Sequence, residues 1–277
     1  MFHKIVANFR EVSGVCEGFV KDAVRTNPAL PLSLITHKFQ PFYSNELKNK
    51  FFKEVNLYLD KAMYQYIISR SLLHEGIFSW GAVTQYYANF FAISGLIRLH
   101  ENGFSRIGNL DVEVQQQSDI YEIRKTKTEG LHRIVWSKFY ALYKGFDYKP
   151  QIFYTVYSPI NNNNYFESDR RNDINYNPAS GYQEIYQTYS TVKSLIKERT
   201  KDAYSADKIE LANEWIDSDT RTQYRIRLLA NIISEIDALS HFPTHVKERL
   251  INREKFIQRY ETDKRYRVRF LGWLTGE

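Results

Sequence analysis

The amino-acid sequence predicts a mainly α-helical fold: an antiparallel helical bundle with a small β-hairpin insertion and helical extensions at both ends. Three observations carry that expectation. Apolar residues recur at three- and four-residue spacing through most of the 277 residues. Tyr and Phe number 21 and 18 against 12 Gly and 7 Pro, so wide apolar side chains are many and helix breakers few. One stretch, residues 110–126, alternates apolar with polar residues instead of following the helical period.

Residues 2–25 read as one helix, with Phe2, Ile5, Val6, Phe9, Val12 and Val15 on a shared face. Asn27-Pro28 and Pro31 end it, and residues 26–43 read as a linking loop, so that 1–43 form an N-terminal helix and linker. Ser44 opens a second helix whose apolar face includes Phe51, Val55, Leu59, Met63 and Ile67. Gly76 is placed to stop it in a left-handed conformation, and a third helix follows from about Ser79 to Asn102, with Gly103 as its expected stop. Two long helices joined by so short a turn form an antiparallel hairpin.

The alternating stretch then predicts a β-hairpin or irregular insertion over about 104–130. Helix returns in LHRIVWSKFYALYKG (131–145), and QIFYTVYS (151–158) reads as a short strand or apolar loop before the Asn run at 161–164. Further helices are expected at about 167–176, 181–199, 206–217, 221–239 and 244–262, with a strand in RYRVRF. The bundle proper is thus expected over 44–200, followed by a basic helical extension over 201–277.

Composition excludes several classes. The single Cys16 cannot close an intrachain disulfide, which favours a reducing compartment and a cytoplasmic location. MFHKIVANFREVSG lacks the layout of a signal peptide, and no uncharged apolar run approaches the ~18 residues of a membrane helix. The net charge of +6 is concentrated: residues 221–270 hold 12 Lys+Arg against 6 Asp+Glu, and the remainder sums to zero. Arg221, Arg225, Arg227, Lys247, Arg249 and Arg253 are therefore candidates for contact with nucleic-acid phosphates, although a solvated helical face explains the same pattern. His241 and His245 have a metal-like spacing, but Pro243 breaks the helix that would align them, so neither metal nor cofactor is expected. Arg70 and His74 share a helical face without forming a recognised motif.

Three segments, in order, carry a resemblance. The third helix holds Gln85, Tyr86, Tyr87, Ala88, Asn89, Phe90, Phe91 and Ala92; LHRIVWSKFYALY places His132 and Phe139; RRNDINYNP holds Arg171, Asn175, Tyr176, Asn177 and Pro178. This order and spacing resembles a bacterial branch of the HEPN helical-bundle family over roughly residues 45–200. In that branch the segments read S-x-Y-Y-A-x-F-x-A, a His-bearing third helix, and R-x4-Y-D-P. The resemblance implies an antiparallel bundle, a protein partner or a homodimer, and a place in a bacterial defence or toxin–antitoxin type system.

Catalytic HEPN ribonucleases use R-x4-6-H without metal: the Arg stabilises charge on the scissile phosphate and the His serves as base or acid. Here Tyr176 stands where that His would be, and an unperturbed Tyr, with a pKa of about 10, is a poor base at neutral pH. The resemblance therefore implies binding of RNA, nucleotide or a partner without turnover, with a divergent ribonuclease built on Arg171 with His132 or Tyr176, or a purely structural subunit, as alternatives. Arg170, Arg171, Asn175 and Tyr176 are the expected ligand contacts, by phosphate pairing and base stacking. Alternatively, these arginines pair with Asp169 or Asp173 while Tyr176 seals the core.

Overall fold

A computed structural model describes residues 20, 32–42, 47–117, 120–126, 130–144, 165–176, 219, 221–235 and 244–260. The helices expected over 2–25, 181–199 and 206–217, the segments 151–158 and 161–164, the His241–Pro243 stretch and the RYRVRF strand lie outside the described residues, apart from Val20. The described chain is mainly helical, with a small antiparallel sheet.

Helix α1 (Leu47–His74) and helix α2 (Phe78–Arg98) form the expected hairpin. Gly76 adopts φ 82°, and two bonds close the turn: Gly76 N–H donates to the Leu73 carbonyl and Ile77 N–H to the Leu72 carbonyl. This is a Schellman stop, which needs the left-handed conformation that Gly accepts freely. Small residues on α2 let the neighbouring helices approach it closely. Ala88 and Ala92 are wholly buried, and a Cβ on Gly95 would lie 2.7 Å from Leu229 Cδ2 and 3.3 Å from Tyr58 Cβ.

Helix α2 ends earlier than its sequence suggests. The helix runs to Arg98 with Leu99 as its cap, whose N–H donates to the Gly95 carbonyl, and Glu101, not Gly103, takes the left-handed conformation with φ 53°. Such a conformation costs a non-glycine residue about 1–2 kcal/mol. Two bonds offset that strain: the buried Glu101 carboxylate accepts from Tyr121 Oη, and the Glu101 carbonyl accepts from Gln116 N–H at 3.0 Å. Gly103 instead lies in a strand, where a Cβ would come within 2.7 Å of the Phe51 ring.

The insertion is a sheet with order β1-β4-β3-β2, every pair antiparallel. Its strands are β1 (Gln40–Phe42), β2 (Asn102–Ile107), β3 (Leu110–Gln117) and β4 (Ile120–Lys125). The β1 strand corrects the linking-loop expectation for 26–43: Gln40 pairs with Ile123 and Phe42 with Tyr121. Three residues containing Pro41 give no alternating signal, and proline is tolerated because the strand lies at an edge.

Alternation along β3 sorts its side chains onto two faces. Val112 and Val114 meet Leu47 and Phe51 of α1, with Tyr121 and Ile123 beside them. Glu113, on the opposite face, takes Lys138 Nζ at 2.8 Å and Arg124 at 2.7 Å. Lys138 belongs to helix α3 (Leu131–Tyr143), so the sheet is held from both sides by the bundle.

Helix α4 (Phe166–Tyr176), helix α5 (221–235) and helix α6 (Thr244–Tyr260) complete the described chain. The main core joins Leu59, Ala62, Tyr66 and Ile67 of α1 to Ala92, Ile93 and Leu96 of α2, Trp136 and Phe139 of α3, and Ile226 and Leu229 of α5. Among the described residues, no helix is long and apolar enough to cross a membrane.

Candidate functional site

The site is built where α4 crosses α2. Ala82, Gln85, Tyr86 and Asn89 recur at three- and four-residue spacing and so share one face of α2, while Glu167, Arg170, Arg171 and Ile174 share a face of α4. Arg221, at the start of α5, completes the lining. Between them lies a partly open cleft with an interior of about 30 Å³, space for one or two waters.

Charge in the cleft is unbalanced, because three guanidiniums line it against the single carboxylate of Glu167. Glu167 is 9% exposed and accepts from Arg225 Nη1 at 2.6 Å. Arg225 has no exposed side-chain surface; the same nitrogen reaches Asn89 Oδ1 at 2.8 Å, and its guanidinium lies 5.0 Å from the Trp136 ring centroid. Asn89 in turn donates to Thr222 Oγ1 at 2.7 Å. The Arg225 guanidinium is thus held by a carboxylate, an amide and an aromatic face through Nη1 and its plane, while its Nη2 makes no hydrogen bond.

Arg221, unlike Arg225, makes no hydrogen bond to Glu167. Its Nε lies 3.3 Å from Glu167 Oε1, close enough for charge attraction, yet neither Nε nor Nη1 makes a hydrogen bond. The angle, not the distance, fails, so the contact is an ion pair without the hydrogen bond that would satisfy either donor. Arg171 Nε is likewise buried without a hydrogen-bond partner, with its guanidinium 5.3 Å from the Tyr86 ring centroid. Burial lowers the Arg170 pKa to about 10; Arg221 beside it lowers it further and Glu167 opposes the change. Excess positive charge is thus an electrostatic property of the site.

Tyr86 couples the cleft to the core. Its hydroxyl lies 2.8 Å from His132 Nδ1 and accepts from Trp136 Nε1 at 3.3 Å. Burial raises the Tyr86 pKa despite its hydrogen bonds and the nearby Arg171, so the phenol stays protonated. Burial first, and Arg171 second, lower the His132 pKa from 6.5 to about 4, so His132 is neutral at physiological pH. Protonation then favours the unfolded state, where the ordinary value returns. The stability that His132 contributes is fully present above pH 6.5 and is lost as the pH falls toward 4. His100, lowered to about 4 by burial and Lys138, adds to the same window. Urea-unfolding midpoints are expected to fall across it, and His132→Gln to make that fall shallower; an unchanged slope would remove His132 from this account.

The structure brings some expected residues together and separates others. Arg171 from α4 and His132 from α3 both reach Tyr86, while Arg170 and Arg221 line the cleft beside them. Tyr176 is 75% exposed, off the cleft, and does not seal the core. Asn175 is half-buried and not part of the lining. Asp169 pairs with Arg133 at 2.8 Å instead of with a cleft arginine. Arg225 and Arg253 point inward; Arg253 binds Asp60 and donates to the Asn56 carbonyl at 2.9 Å, docking α6 on α1. Arg227 is exposed, and the side chains of Lys247, Arg249 and His74 lie outside the described residues.

No sequence motif marks Glu167 as an anchor or Gln85, Tyr86 and Asn89 as lining. The usable signal was polarity out of place: Gln85 and Asn89 lie one turn apart on a helix that is otherwise largely buried, a position where amides need partners. Comparison with known proteins gives no family model, curated protein or solved structure that matches the chain.

Proposed function

We propose that the chain is a HEPN-like module that binds phosphate groups of RNA or nucleotides without cleaving them. It acts with a partner or a second copy, in the bacterial defence or toxin–antitoxin setting that the resemblance implies. One observation carries the reading: Arg170, Arg171 and Arg221 line a single cleft with an excess of positive charge, while Tyr176 stands outside it. Guanidiniums offer phosphate a planar, permanently charged fork. Turnover would also need a proton acceptor beside Arg171, and the hydroxyl in the sequence position of the family His is on the exterior.

Fluorescence anisotropy with labelled single-stranded RNA, titrated across salt, tests this reading. Binding is expected to weaken as salt rises, and Arg171→Ala to weaken it further while reducing the salt slope by about one. No binding at low salt would sink the proposal.

A second reading, a divergent ribonuclease, is favoured by the meeting of Arg171 and His132 at Tyr86. Against it, His132 has a pKa of about 4 and its Nδ1 is engaged by a phenol, which makes it a weak base at neutral pH. RNA incubated with the protein under chelator decides between the two: cleavage by the wild type that Arg171→Ala abolishes would establish the enzyme.

A further inference from the structure

The preceding proposal leaves open which phosphate the cleft takes, and the inference drawn here rests on that proposal. We infer that the cleft between α2, α4 and the start of α5 is a site for a terminal phosphate monoester, the 5′-phosphate of a nucleotide or of an RNA end, not for the internal phosphodiesters of a chain. Three observations support it.

The first is the state of Arg221. Its side chain is 3% exposed and lines the cleft, and its Nη1 has no hydrogen-bond partner. A buried guanidinium donor left unsatisfied is costly, and an acceptor oxygen in the cleft relieves that cost. Arg171 contributes a second buried donor, Nε, in the same state.

The second is charge. Three lining guanidiniums face one lining carboxylate, which the buried Arg225 shares, so positive charge exceeds negative by at least two in the lining. A monoester carries about −1.5 to −2 near neutral pH and presents three terminal oxygens. A diester carries one charge and presents two free oxygens, so it leaves both the charge and one donor set unmatched.

The third is shape. The cleft is small and is lined by Ala82, Phe166 and Ile174 as well as by its polar groups. So small an interior takes the outer oxygens of a single group entering from the open side, and among the described residues no further arginine extends the lining into a basic track along which a backbone passes. Arg227, exposed on α5, and Arg106, on β2 with its side chain 68% exposed, lie outside the lining.

The test uses the full chain with four probes: inorganic phosphate, AMP, and one RNA sequence carrying either a 5′-phosphate or a 5′-hydroxyl. Inorganic phosphate is expected to raise Tm, and the 5′-phosphorylated RNA to bind roughly tenfold or more tightly than its 5′-hydroxyl twin. AMP matching the phosphorylated RNA would identify a nucleotide site, and AMP much weaker than that RNA would identify an RNA-end site; both support the monoester. Arg221→Met is expected to abolish the phosphate response while raising the Tm of the ligand-free protein, because an incompletely satisfied buried cation is removed. Arg221→Lys, which keeps the charge and loses the fork, is expected to weaken phosphate binding while the chain stays folded. Arg106→Ala, which removes the same charge from a residue outside the cleft lining, is expected to leave the response unchanged.

Equal affinity for the two RNAs would overturn the monoester inference and leave the broader phosphate-binding proposal standing. No response to any probe would overturn both. A phosphate response undiminished in Arg221→Met and Arg221→Lys would remove this cleft as the site.

Discussion

Glu167→Ala is expected to destabilise the protein by about 3–5 kcal/mol, because removing one member of a buried ion pair strands the charge of the other. Two guanidiniums depend on this carboxylate: Arg225, with no exposed side-chain surface, and Arg221, with 3%. The carboxylate also ties α4 to α5, so its loss frees one wall of the cleft. A loss of this size lowers Tm by roughly 10 °C in a chain of this length. The double variant Glu167→Ala/Arg225→Met is expected to recover much of the loss, since it leaves one fewer unpaired charge. Urea denaturation of the three proteins measures this. A loss below about 1 kcal/mol in Glu167→Ala, within the range of a solvent-exposed pair, would show that Glu167 does not bear the buried charge.

Trp136→Ala is expected to cost a similar amount, about 3–5 kcal/mol, for a different reason. Trp136 is wholly buried at the junction of α2, α3 and α5, stacked with Tyr140 and edge-on to Phe139. Truncation leaves a cavity that close-packed helices fill only in part. It also removes the face beneath Arg225 and the N–H that reaches Tyr86, so the cleft loses support along with the core. Trp136→Phe keeps most of the volume and is expected to cost clearly less. Equal losses in the two variants would mean that the indole N–H matters more than the packing.

The helical hairpin was legible because its signals are local. Gly76 lies at the position a Schellman stop requires, and the periodic apolar faces on either side leave little choice of partner. The α2 terminus was misread for the same local reason: Gly103 looked like the stop, whereas its lack of a side chain serves the close approach of the Phe51 ring. Glu101 takes the strained position because Tyr121, twenty residues away on β4, supplies the compensating bond. Strand β1 was invisible, since three residues around a proline acquire strand character only by pairing with β4.

The candidate site divides in the same way. Arg170, Arg171 and His132 were expected from the family resemblance; Arg171 lies over the Tyr86 ring, His132 meets its hydroxyl, and Arg170 lines the cleft with them. The basic C-terminal segment read as a single population of phosphate contacts, yet the described residues sort it by environment. Arg225 and Arg253 are sunk into ion pairs with Glu167 and Asp60, Arg221 lines the cleft, and Arg227 faces solvent. Charge is a property of composition, whereas the partner of a charge depends on which carboxylate a distant helix delivers.

The sequence by itself determined the mainly helical class, the α1–α2 hairpin and the presence of strands after it. Those features follow from periodicity and turn chemistry, which act over a few residues. Tertiary structure alone decided that a carboxylate on α4 would be shared by two arginines on α5, and that Tyr86 would join His132 to Arg171. It also decided that Tyr176 would stand apart from them. Contacts between residues dozens of positions apart are set by how helices pack, and no local pattern encodes which buried donor is left without an acceptor.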